Sequence, residues 1–154
     1  MIEMEGKTVV TLEGLYGVGK TTLGNNIAQE SDVVFVPEWS NIPRHATRED
    51  RASLPPRDIE EARRGVDFFF GLDYERFQYW KREQSRLYLL DKSPAVVLSV
   101  EFALQKNDYP SDIKYAAQLY LRSLRNRTTF SLDGFVFLEC HSEELFVSRN
   151  LNRP

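Results

Sequence analysis

With 154 residues, 42% hydrophobic and 28% charged, the chain has the make-up of an ordinary soluble globular protein, read as one domain spanning 1–154. A net charge of −3 excludes a general electrostatic pull towards nucleic-acid polymers, and no apolar run approaches the roughly 20 residues of a membrane span. A single cysteine, Cys140, excludes an internal disulfide, and the widely separated His45 and His141 exclude zinc-ligand spacing.

Met1 to Glu5 lacks the basic start and apolar middle of a signal peptide, so a reducing, cytoplasmic setting is expected. Lys7 to Glu13 is rich in β-branched and apolar residues and predicts a first strand, and Thr21 to Gln29 predicts a helix. Between them Glu13-Gly14-Leu15-Tyr16-Gly17-Val18-Gly19-Lys20-Thr21-Thr22 is a complete G-x-x-x-x-G-K-[S/T] loop. Glycines let successive backbone N–H groups turn inward on phosphate oxygens, and the following helix adds its positive end. The motif predicts that Gly14, Tyr16, Gly17, Val18, Gly19, Lys20, Thr21 and Thr22 hold a nucleoside triphosphate such as ATP. Lys20 should reach the β- and γ-phosphates, with the Thr21 hydroxyl on Mg²⁺.

Asp32 to Pro37 predicts a second strand, with Glu38 and Trp39 just past its end. The polar stretch from Ser40 to Pro56, carrying Arg44, His45, Arg48 and Arg51, reads as a surface excursion. Ile59 to Arg64 predicts a short helix. Asp73 to Arg86 predicts a longer one, with Tyr74, Phe77 and Trp80 on one face and Arg76, Lys81 and Arg82 in water. Leu87 to Leu90, ending in Asp91, reads as a buried parallel strand. Ser93 as N-cap and Pro94 at the first position start a helix that Asn107 to Pro110 ends. Ile113, Ala116, Ala117, Tyr120, Leu121 and Leu124 mark an amphipathic helix. Phe135 to Glu139 gives a fourth strand, and Ser142-Glu143-Glu144 opens a last helix.

Four apolar strands alternating with helices predict an α/β fold, a three-layer, mainly parallel sheet flanked by helices. Ligands of such sheets bind beyond the carboxyl ends of the strands, which gathers the Gly14 to Thr22 loop, Glu38, Asp91 and His141 at one edge. The guanine-reading N-K-x-D element of common GTPases is missing from the sequence, Gln105-Lys106-Asn107-Asp108 not matching it.

In this setting the phosphate loop, Leu90-Asp91-Lys92-Ser93 and Gly134 to Glu139 with Arg149 beyond resemble the thymidylate kinase and deoxynucleoside kinase group of P-loop phosphotransferases. The resemblance implies transfer of the ATP γ-phosphoryl group, with Mg²⁺, to a small-molecule acceptor, a nucleoside or nucleoside monophosphate. Lys20, Glu38, Asp91 and Arg149 would then be catalytic. Glu38 would take the proton of the attacking hydroxyl, Asp91 would join Thr21 at the metal, and Arg149, with Arg153, would clamp the phosphoryl group. Glu38, Trp39, Arg44, Phe77, Gln78 and Lys92 would bind the acceptor, Phe77 stacking on the base and Gln78 pairing with it. Each residue also has a plain reading: Phe77 as core, Gln78, Glu38 and Lys92 as solvated surface, Asp91 as a helix cap, the arginines as loop or end charges.

The chain departs from the group in Tyr16 and in Lys92 where the group has arginine, and it stops at Pro154 before the group's lid and fifth strand, as a chain truncated at the lid or one lacking those parts would. These departures keep open a nucleotide-binding regulatory module without turnover and a kinase of a non-nucleotide metabolite. The state of assembly is equally open, a homodimer included.

Overall fold

Short β-branched strands separated by helices order themselves as β1 (Thr8–Glu13), α1 (Lys20–Glu30), β2 (Val33–Val36), α2 (Ile59–Trp80), β3 (Leu87–Asp91), α3 (Val96–Lys106), α4 (Ile113–Arg125) and β4 (Gly134–Phe137) in the computed structural model. The structure describes residues 6–15, 17–38, 54–140 and 142. Tyr16, Trp39, Arg44, His45, Arg48, Arg51, His141, the helix expected from Ser142-Glu143-Glu144, Arg149 and Arg153 therefore involve positions outside the described residues.

One compact unit contains the four strands and α1. Its sheet runs β2-β3-β1-β4 and every pairing is parallel, the α/β class that the alternation of elements implies. Leu12, Phe35 and Leu89 form its core, with Val10, Ile27, Ala28, Val33 and Leu138 packed around them. β3 lies between β2 and β1, and its apolar run Tyr88-Leu89-Leu90 is buried as expected. β4 behaves otherwise: it takes an outer place in the sheet, and Phe135, Val136 and Phe137 are all exposed.

Gly24 lets α1 approach β2. A Cβ there would lie 2.1 Å from Cε2 of the Phe35 ring, and that ring is held in the core with Leu12 and Leu89. Alanine gains about 1 kcal/mol in helix propensity, but forcing a methyl into a filled core costs about 1–3 kcal/mol. Gly24→Ala is therefore expected to lower the urea midpoint despite improving the helix. An unchanged or raised midpoint would show that the ring yields freely.

The second unit holds α2, α3 and α4. The two helices expected at Ile59 to Arg64 and Asp73 to Arg86 are a single helix of 22 residues ending at Trp80. Asp58 caps it by accepting from Glu61 N at 2.7 Å. Its buried side runs through Ala62, Val66 and Phe70, a four-residue spacing that carries the helix across the intervening stretch. Val66, Phe70, Leu72, Val97 and Ala116 make the core of this unit.

The face expected for the second helix is corrected too. Tyr74 is exposed, whereas Arg76, expected in water, is fully buried with a guanidinium nitrogen 3.9 Å from Asp73 Oδ1. Asp73 in turn accepts a hydrogen bond from the Thr129 hydroxyl. A charge is tolerated in such a place only when paired, which periodicity alone does not reveal.

The helix expected from Ser93 and Pro94 begins later, at Val96 with Ala95 as its cap residue. Pro94 and Ala95 instead accept from Val97 N and Leu98 N in three-residue turns. α4 starts after Asp112, whose carboxylate accepts from Tyr115 N at 2.9 Å.

Candidate phosphate-loop site

Sheet register decides which strand ends meet. Thr11 and Leu12 of β1 lie beside Leu90 and Asp91 of β3, and Val36 of β2 lies beside Leu90. The residues that follow, Gly14, Lys92 and Glu38, therefore leave the same carboxyl edge of the sheet. Five residues expected in the site, Lys20, Thr21, Glu38, Asp91 and Lys92, come together there.

Gly14, Gly17 and Gly19 have φ of 132°, 87° and 101°, the left-handed region where a Cβ costs about 1–2 kcal/mol. Gly19 closes the turn, accepting from Leu23 N at 2.9 Å as α1 begins. Lys20, the first residue of α1, arcs back over the loop. Its Nζ donates to Gly14 O at 2.9 Å and Leu15 O at 2.8 Å. Burial, and then the nearby Lys92 charge, lower its pKa from the usual 10.5, with Asp91, Glu38 and Glu13 pulling the other way.

The Thr21 hydroxyl donates to Asp91 Oδ2, and Asp91 is buried. Two hard oxygens side by side beneath a phosphate loop form the donor set that Mg²⁺ takes from a protein, since this ion uses one or two carboxylates and leaves its other positions to phosphates and water. Among the described residues no group of three or more His, Cys, Asp or Glu could hold a metal by itself.

Glu38 meets Lys92 in an ion pair of 2.7 Å, both side chains about one-fifth exposed, at 22% and 18%. Lys92 has φ 65°, an unusual value for a residue with a side chain, and strain of this sort gathers at functional sites. An ammonium gives Glu38 a point charge, where a guanidinium would give a planar fork.

Glu13, to which the sequence reading gives no role, fastens the strand ends together. Its Oε1 accepts from Thr11 Oγ1 at 3.0 Å and from Ser93 N at 2.8 Å. The bond from Ser93 N, with Lys92 N donating to Leu12 O at 3.1 Å, fixes the segment between Asp91 and Pro94 against β1. The only signal in the sequence is an acid placed directly before the first loop glycine.

Phe77 and Gln78 belong to the helical unit. Phe77 is buried, edge-on to Phe130 with ring centroids 5.1 Å apart. This packing is that of the core reading of Phe77. Gln78 is half-buried.

No family model and no curated protein matches the sequence. Solved structures do match, among them the deoxyadenosine kinase from M. mycoides determined with products dCMP and a flexible dCDP bound. It superposes with a TM-score of 0.55 at 14% identity, over 95% of this chain and 71% of that one. The likeness is one of fold.

Proposed function

We propose that the chain is an ATP-dependent phosphotransferase whose acceptor is a nucleoside or nucleoside monophosphate. One observation carries the reading: a phosphate loop closed by Lys20 shares a sheet edge with the Thr21–Asp91 contact and the Glu38–Lys92 pair. Holding Mg²⁺ and nucleotide accounts for the loop and the Thr21–Asp91 contact, and the Glu38–Lys92 pair adds a carboxylate that nucleotide binding alone does not need.

In the proposed step an acceptor oxygen attacks the γ-phosphorus and the bond to the ADP oxygen breaks; a nucleoside hydroxyl passes its proton to the Glu38 carboxylate, whereas a monophosphate oxygen attacks as the anion with no proton to lose. Glu38 orients the hydroxyl, and Lys92, within reach of the same carboxylate, lends positive charge to the incoming group. Lys20 leaves its two loop carbonyls to bridge the β- and γ-phosphates. Thr21 and Asp91 would hold Mg²⁺, which neutralises charge on the β- and γ-oxygens when bound. Burial and fixed dipoles then do the stabilising, with no covalent intermediate.

Arg149 as a phosphoryl clamp and Arg44 and Trp39 at the acceptor keep the roles that the sequence resemblance gives them, and Tyr16 keeps the place in the loop that the motif gives it. The fold neighbour's name, a deoxyadenosine kinase, supports a nucleoside as the first acceptor to try. The test is Mg²⁺-dependent ADP release from ATP, followed in a coupled assay over a panel of nucleosides and monophosphates. Turnover that rises with one acceptor supports the proposal; ATP binding without acceptor-dependent release contradicts it and favours a regulatory nucleotide-binding module.

A further inference from the structure

At the end of β3 two successive N–H groups turn the same way. Lys92 N donates to Leu12 O at 3.1 Å, and Ser93 N donates to Glu13 Oε1 at 2.8 Å. Along an extended strand neighbouring N–H groups alternate sides, so both reach the end of β1 only because Lys92, at φ 65°, leaves the extended form. A residue with a Cβ adopts that left-handed conformation at a cost, and it persists only where its surroundings hold it. Here the Glu13 carboxylate holds it. Thr11 Oγ1, donating to the same Oε1 at 3.0 Å, fixes the carboxylate in turn.

We infer that Glu13 is a positioning residue for the phosphoryl transfer proposed above, on which the inference rests: it fixes the backbone turn that aims Lys92 at Glu38. The Lys92 ammonium meets the Glu38 carboxylate at 2.7 Å from this turned backbone. With Lys92 extended, its Cβ leaves the chain in another direction and that pair is lost.

Asp91 needs no such support. It is the last residue of β3, in register with Leu12, and it accepts from the Thr21 hydroxyl. Glu13 therefore acts on the acceptor side of the site, and the sheet itself sets the Mg²⁺ side. Its negative charge is not what the turn requires. Both donors to Oε1 are neutral, a backbone N–H and a hydroxyl, so the oxygen of a side-chain amide can take its place.

The test is kcat for acceptor-dependent ADP release over the panel of nucleosides and monophosphates, with calorimetric ATP titration, in wild type, Glu13→Ala, Glu13→Gln, Lys92→Ala and the Glu13→Ala/Lys92→Ala double variant. Glu13→Ala should lower kcat at least about tenfold while ATP affinity stays that of wild type. Glu13→Gln should restore most of the loss. In the Lys92→Ala background, Glu13→Ala should cost less than about twofold more, because the turn then has no ammonium to aim. Full kcat in Glu13→Ala, a loss that adds in full to that of Lys92→Ala, or Glu13→Gln as impaired as Glu13→Ala overturns the positioning role and leaves the phosphotransferase reading standing. Glu13→Ala that no longer binds ATP overturns it as well, since Glu13 then serves the loop or the fold. Wild type without acceptor-dependent release overturns both.

Discussion

Lys20→Ala should lower phosphoryl transfer by about 10²–10³-fold, the usual effect of losing one preorganised charge at a transition state. The side chain is 6% exposed and already crosses the loop, donating to the Gly14 and Leu15 carbonyls. In the proposed step it exchanges these dipoles for phosphate oxygens that carry full charge, a gain the alanine variant cannot recover. Initial rates over a range of ATP concentrations check this, and a variant within threefold of wild type would remove Lys20 from the chemistry.

The same residue carries a pH signature. Burial and Lys92 lower its pKa from 10.5, so in the free protein it loses its proton at lower pH than an exposed lysine. A triphosphate favours the charged form. ATP affinity of wild type should therefore decline as pH rises, starting below 10.5, and Lys20→Ala should show no such decline.

Gly14→Ala is expected to cost about 3 kcal/mol in stability, from backbone strain and overpacking together. Gly14 has φ 132°, and a Cβ on it would stand 2.3 Å from the carbonyl oxygen of Leu138. That oxygen belongs to backbone, which moves only with its chain. Leu138 N donates to Glu13 O at 2.9 Å, so any shift pulls on the end of β4 where it follows β1. Gly134→Ala is the control, because a Cβ at Gly134 meets nothing within 4 Å. Urea unfolding should show a large drop for Gly14→Ala and a change within about 0.5 kcal/mol for the control. Equal midpoints for the two variants would mean that the close approach to Leu138 is not a constraint.

These residues also mark how far the sequence could be read. The strands, the loop and the helix after it are local: β-branched runs and glycines that need left-handed backbone declare themselves within ten residues. The ligand edge of the sheet follows from the rule for parallel strands; register brings Asp91 and Glu38 to it, and the loop turns Lys20 and Thr21 onto it. The pairing of Glu38 with Lys92 is another matter. It joins residues 54 positions apart through a lysine in a backbone conformation that no residue pattern signals.

Arg76 and Phe77 show the limit in the helical unit. The spacing of Tyr74, Phe77 and Trp80 suggests an aromatic face, but tertiary partners turned the buried side towards Asp73, Arg76 and Phe77. Thr129 and Phe130, more than 50 residues along the chain, supply the hydrogen bond and the ring that make that side habitable. Neither partner is legible from the helix. Likewise β4 has the apolar composition of a buried strand yet sits exposed at the edge, since composition does not report a strand's place in the sheet.

Proton removal by Glu38 in the proposed transfer is tested by rapid-quench transfer from γ-labelled ATP to a nucleoside acceptor by wild type and Glu38→Gln. Wild type should place label on the acceptor, and Glu38→Gln should lose at least about 100-fold with ATP affinity staying the same. Label that never reaches an acceptor while ATP is bound, or transfer undiminished in Glu38→Gln, would contradict it.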